Sequence, residues 1–179
     1  MQKRAFLIVF AFVLTCFGQV PRAEILTDTY GVPHIYAVND VELMRAFGYA
    51  QMQSHGNLIL ELYGTARGRA AQYWGPKYRD SDVRVRTYGI GKLASAWGGL
   101  QKPAYRRMLT AFADGMNRYA KEHPEQLDPK MLLVLPVNSH DVLAHRADRS
   151  RRHADFAARE RLARPLRRLG DVGRADRAE

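Results

Sequence analysis

The sequence predicts an α+β or mostly helical piece, and three observations carry that expectation. Two short β-like runs, residues 24–29 and Pro33–Ala37, stand close together ahead of everything else in the body of the chain. Runs of helical periodicity then dominate as far as residue 145. Strand and helix do not alternate regularly, which argues against a doubly wound sheet or an α/β barrel.

Residues 1–23 read as an export signal. Lys3 and Arg4 give a positive start, residues 5–17 form an apolar run, and Gly18 to Ala23 supply a polar end with small residues. A spanning helix needs roughly 20 apolar residues, and this run is shorter. Cleavage after Gly18 and cleavage after Ala23 both fit; an uncleaved anchor and a lipoprotein at Cys16 are the other readings. Cys16 is the single cysteine, so no internal disulfide can form. The expected location is the periplasm or the outside of the cell.

In the body, Gly31 allows a turn between the two β-like runs and Pro33 sets the start of the second. Asn39 with Glu42 three residues on predicts a helix start. Leu43, Phe47 and Ala50 then share a face, while Gly48 and Gly56 mark close packing or a break. A second helical run covers residues 57–63 and ends at Gly64. A polar loop over residues 76–82 separates the block ending at Gly75 from residues 83–88. Pro103 opens the best helix, with Tyr105, Leu109, Phe112, Met116 and Tyr119 on one stripe read as core, and His123-Pro124 ends it.

The net charge of +10 raises nucleic acid or an anionic membrane as partners, but its distribution matters more. Residues 24–145 carry 14 Lys+Arg against 12 Asp+Glu, whereas residues 146–179 carry 11 Arg against 6 acids. The body is therefore near neutral. The last segment lacks Lys, Ile, Asn, Gln, Thr, Tyr, Trp, Met and Cys, and Phe156 is its one aromatic. It reads as a disordered or frame-shifted Arg/Ala-rich tail; a polyanion-binding arm and a divergent tail are the alternatives.

Other constellations offer little chemistry. Ser139-His140-Asp141 holds triad residue types, but triads are assembled in space, so these read as a loop. His34 reads as a turn histidine. Gly89-Ile90-Gly91 lacks the rest of a phosphate-binding pattern. Asp80 and Asp82 around Ser81 make a weak calcium pattern. Arg67 and Arg69 either pair inside an assembly or face water.

Five ordered blocks carry a resemblance. Residues 28–37 (DTYGVPHIYA), 46–53 (AFGYAQMQ), 68–75 (GRAAQYWG), 111–119 (AFADGMNRY), and Leu135-Pro136 followed by residues 141–145 (DVLAH) resemble the penicillin acylase family. The resemblance covers residues 24–145 and implies the N-terminal part of the α chain of an αββα N-terminal-nucleophile hydrolase. In such enzymes an exported precursor is cut into two chains, and a Ser opening the β chain attacks an amide carbonyl. Its own α-amino group, with an ordinary pKa of about 8, serves as base. Substrates implied are β-lactam side chains, acyl-homoserine lactones and lipopeptide acyl groups.

None of Ser54, Ser81, Ser95, Ser139 or Ser150 stands in the processing context, so the resemblance places no catalytic residue here. It implies no cofactor in this segment, and structural calcium mainly through residues elsewhere. The implied partner is the β chain, without which the segment is expected to be inactive. It is also expected to be partly molten, with Leu58, Leu62, Leu109 and Phe112 exposed. The alternative is an exported, non-catalytic piece whose basic tail binds nucleic acid or anionic membrane.

Overall fold

The computed structural model of the chain describes residues 22–155. Residues 1–21 of the expected leader (residues 1–23), Cys16 included, and the tail beyond residue 155 lie outside the described residues.

β1 (Ala23–Thr27) pairs antiparallel with β2 (Pro33–Ala37), Ile25 opposite Ile35 and Leu26 opposite His34. The Asp28 carboxylate closes the turn, one oxygen accepting from Tyr30 N and Val32 N at 2.9 Å each. Gly31, at φ 80°, takes the left-handed conformation this turn demands. His34 Nε2 meets the other Asp28 oxygen at 3.2 Å, so it is a turn histidine as expected.

α1 (Asp40–Ala66) starts where the Asn39 side chain accepts from Glu42 N at 3.0 Å. The Glu42 carboxylate faces Arg45 at 3.4 Å and Arg22 at 3.7 Å. The break expected at Gly56 is a kink at His55 (φ −141°, ψ 25°), after which the helix continues to Ala66 rather than ending at Gly64.

α2 (Ala70–Trp74) and a 3-10 turn (Pro76–Tyr78) lead into α3 (Arg79–Thr87). The polar loop expected over residues 76–82 is thus replaced by 3-10 and α-helix. One of its polar residues, Asp82, is buried as an acceptor for backbone N–H groups of α2. α4 (Ile90–Leu100) follows, then α5 (Pro103–Glu122), which begins and ends where Pro103 and His123 predict. A 3-10 turn (Pro124–Gln126), α6 (Pro129–Leu132), a cis Leu135–Pro136 peptide and α7 (residues 139–155) complete the described chain.

α1 and α5 pack together at two glycines. A Cβ on Gly48 would lie 2.0 Å from the Phe112 carbonyl oxygen, and one on Gly115 would lie 1.9 Å from that of Arg45. No other residue lets the two backbones touch this way. One core cluster forms along this pair, from Met52, Leu60, Tyr63, Met116 and Tyr119 closed over by Val134 and Val137. A second joins Ala66, Val85, Ile90, Ala94 and Leu109 to Leu143, Ala144 and Ala147 of α7.

The α5 stripe is core at Leu109, Met116 and Tyr119; Phe112 is half-buried against Phe47, and Tyr105 is exposed. Of the four residues expected to be uncovered, Leu58 is exposed, Leu62 and Phe112 are half-buried, and Leu109 is buried. Leu109 finds partners inside the chain because α4 and α7 pack over it.

The change of composition at residue 146 is not a change of fold. α7 runs through it to residue 155, and Ala147 and Asp148 are fully buried. Asp148 Oδ1 accepts from Arg84 Nη1 at 2.9 Å, and Arg152 Nη2 lies 2.9 Å from Oδ2.

Candidate functional site

Residues 67–71 connect α1 to α2, and almost every polar group there is claimed by another element. At the end of α1, Arg67 turns inward. Its Nε donates to Asp141 Oδ1 at 2.7 Å and its Nη2 to Oδ2 at 2.7 Å, a two-pronged pairing. Nη1 donates to Val134 O at 2.7 Å and to the Tyr73 hydroxyl at 3.2 Å, while Nη2 also reaches Pro136 O at 2.9 Å. One guanidinium thereby ties α1 and α2 to α7 and to both residues flanking Leu135.

Gly68, at φ 65°, makes the turn away from α1, and the Arg86 guanidinium grips its carbonyl at 2.8 and 3.1 Å. Asp82 caps α2, accepting from Ala70 N at 2.8 Å and Ala71 N at 2.9 Å. Asp141 is itself fixed, with Asn138 N donating to its Oδ2 at 2.8 Å.

The electrostatics are those of a joint, not of a reacting group. Asp141 is 2% exposed. Hydrogen bonding to its carboxylate raises the Arg67 pKa further, so Arg67 stays charged and gives up no proton. All five guanidinium N–H groups are spent on protein acceptors, leaving none for a substrate. Tyr63, nearby in the core, has its hydroxyl pKa pushed up by burial and then by the Asp141 charge.

His145 completes the region, its ring 5.8 Å from that of Tyr63. Its Nδ1 is buried and has no hydrogen-bond partner among the described residues, and burial, followed by the positive Arg152, holds its pKa below the usual value. Protonation there is disfavoured.

The structure separates the alternatives left for Arg67 and Arg69, since the first is paired internally and the second is exposed. Ser139, His140 and Asp141 open α7 and do not converge. Asp141 points to Arg67, and His140 Nε2 donates to Gly91 O at 3.1 Å, which ties the Gly89–Gly91 stretch to α7. Ser95 donates to Gly91 O and Ser150 to Arg146 O, each within its own helix, and Ser81 accepts from Arg84. Asp80 is exposed and Asp82 is committed to α2, so the pair forms no cation site; among the described residues no group of three or more His, Cys, Asp or Glu could hold a metal ion. Sequence reasoning missed Asp141, Asp82 and Asp148 as buried partners of arginine and backbone. The available signal was an acid followed directly by apolar residues, as at Asp141-Val142-Leu143.

The fold and sequence have known counterparts. A penicillin G acylase from Alcaligenes faecalis superposes with a TM-score of 0.65 over 82% of this chain and 85% of that chain, at 24% identity. The acyl-homoserine lactone acylase PvdQ of Pseudomonas savastanoi is 27% identical over 137 residues, 70% of this chain. Penicillin G acylase of Escherichia coli is 30% identical over 112 residues, 60% of this chain. The chain spans only 18% and 13% of the lengths of these last two relatives. The family description for penicillin amidase matches residues 22–162, reaching past the buried Asp148, and the chain belongs to that family.

Proposed function

We propose that this chain is the N-terminal part of the α chain of an exported amide hydrolase, acting with a β chain that supplies the nucleophile. The observation that carries this reading is the family match over residues 22–162, which includes every described element. The names of the relatives, penicillin G acylase and acyl-homoserine lactone acylase, support an acyl–amine bond as the target. Cleavage releases a carboxylic acid and an amine. The geometry supports a supporting role for this part: the five guanidinium donors of Arg67 are spent within the protein, and Ser95 and Ser150 bond within their own helices.

The β chain has a landing surface. The outer face of the hairpin presents Leu26, Tyr36 and Val38, and Leu58, Leu100 and Leu133 are also exposed. A two-stranded sheet with two open edges is marginal unless something covers it.

The test measures release of amine from a phenylacetyl amide and from a long-chain N-acyl-homoserine lactone by the purified chain. No turnover is expected from the chain alone. Hydrolysis by this chain without a β chain would overturn the reading.

A further inference from the structure

The export signal proposed above can be removed at either of two places, and the described end of the hairpin distinguishes them. Arg22 and Ala23 belong to the fold. Ala23 is the first residue of β1, paired with Ala37, and the Arg22 carbonyl accepts from Val38 N at 3.1 Å. That bond closes the hairpin one residue before Asn39, the cap of α1. The Arg22 guanidinium lies 3.7 Å from Glu42 on the first turn of that helix. Arg22 and Ala23 also wall a cleft of about 480 Å³ between the hairpin, α1 and α5, together with Ile25, Arg45, Tyr49 and Gly115.

We propose that the exported protein keeps Arg22 and Ala23, with leader removal on the N-terminal side of Arg22, at Gly18–Gln19 rather than at Ala23–Glu24. The inference rests on the export reading and goes one step further. Cleavage after Ala23 would cut inside β1, remove the acceptor for Val38 N and one of the two arginines facing Glu42, and open one wall of the cleft. It would also leave a charged α-ammonium on Glu24 within the ladder opposite Tyr36. Residue types favour the same choice. Export-linked peptidases take small residues one and three positions before the cut. Gly18 and Cys16 meet that requirement, whereas the other cut would put Pro21 at the third position. The step is hydrolysis of one peptide bond by water, catalysed by the host's export-linked peptidase. Gly18 leaves as a carboxylate and Gln19 becomes the new α-ammonium.

The full 179-residue chain is produced in a Gram-negative host, and the exported product is denatured and read by intact mass and N-terminal peptide sequencing. The expected first residue is Gln19. A start at residues 19–22 supports the inference, and a start between Gln2 and Gly18 overturns it. A start at Ala23 or later overturns it and leaves export standing. A chain that retains Met1 overturns the export reading itself, and this inference with it. Two variants give a second readout that does not depend on folding. Gly18→Leu should lower the processed fraction about tenfold, while Ala23→Leu should leave the first residue unchanged. The reverse pattern overturns the inference.

Discussion

Arg67 carries five N–H donors, and the fold supplies an acceptor for each from three separate segments. Its value lies in what is left behind when one partner is removed. Arg67→Ala or Asp141→Ala strands a buried opposite charge, and such losses cost about 3–5 kcal/mol. The urea midpoint followed by far-UV circular dichroism should fall sharply for either variant, whereas Arg69→Ala, at an exposed position, should move it little. Replacing both members of the pair with apolar residues should cost less than either single change. His145 makes a second prediction at this scale. Burial holds its pKa in the folded chain below the ordinary 6.5, so the unfolded chain binds the proton more readily. Its contribution is therefore fully present above about pH 6.5 and is lost as pH falls toward the folded value. The groups facing it have opposing effects, Arg152 and Arg149 lowering the pKa and Asp148 raising it. Thermal midpoints at pH 7.5 and pH 5.5 should differ for the natural chain, and the difference should shrink in His145→Phe. An unchanged difference would mean that the acid sensitivity arises elsewhere.

At the scale of elements, the contact between α1 and α5 depends on two glycines that meet backbone rather than side chains. Gly→Ala in a helix normally gains up to about 1 kcal/mol from propensity. At Gly48 that gain is outweighed, because a Cβ 2.0 Å from the Phe112 carbonyl oxygen forces the helices apart, and overpacking costs about 1–3 kcal/mol. Gly91 in α4 has no atom within 4 Å of an added Cβ. Gly48→Ala and Gly115→Ala should therefore lower the urea midpoint and Gly91→Ala should hold or raise it. Equal effects at Gly48 and Gly91 would remove the close approach as the explanation. These positions also show what the sequence could reveal. The Asn39 cap, the Pro103 start and the His123 stop are local chemistry, readable within a few residues, and each lies where it was expected. α3 was not readable, because its stabilising group works over a distance. Asp82 looks like a loop acid until the α2 backbone is placed above it. The Arg67–Asp141 pairing spans 74 residues, and the apolar residues after Asp141 point to its burial without naming its partner. The composition of residues 146–155, rich in Arg and Ala, likewise concealed the second half of α7, whose buried Asp148 is neutralised from α3.

For the whole molecule, the question is what the outer face of the hairpin does when nothing covers it. Glu24 opposite Tyr36 and Leu26 opposite His34 form that face, with Tyr36 60% and Leu26 49% exposed, and Val38 continues it toward α1. The inner face, Ile25 and Ile35, is half-buried while the outer residues are exposed, so the outer residues add little to the fold of this chain. Open strand edges beside exposed apolar side chains favour pairing with whatever strand is available. On the proposed reading a β chain would cover that face; in the isolated chain the same face is open to a second copy. The isolated chain should therefore bind an apolar dye such as anilinonaphthalene sulfonate and should self-associate as its concentration rises, read by sedimentation velocity. Leu26→Lys combined with Tyr36→Lys places like charges on the outer face without touching Ile25, Ile35 or the Asp28 turn. That variant should lose most of the dye signal and most of the self-association while keeping its circular dichroism spectrum. If it still associates as strongly as the natural chain, the sticky surface lies instead at Leu58, Leu100 or Leu133, and Leu100→Lys becomes the variant that separates them.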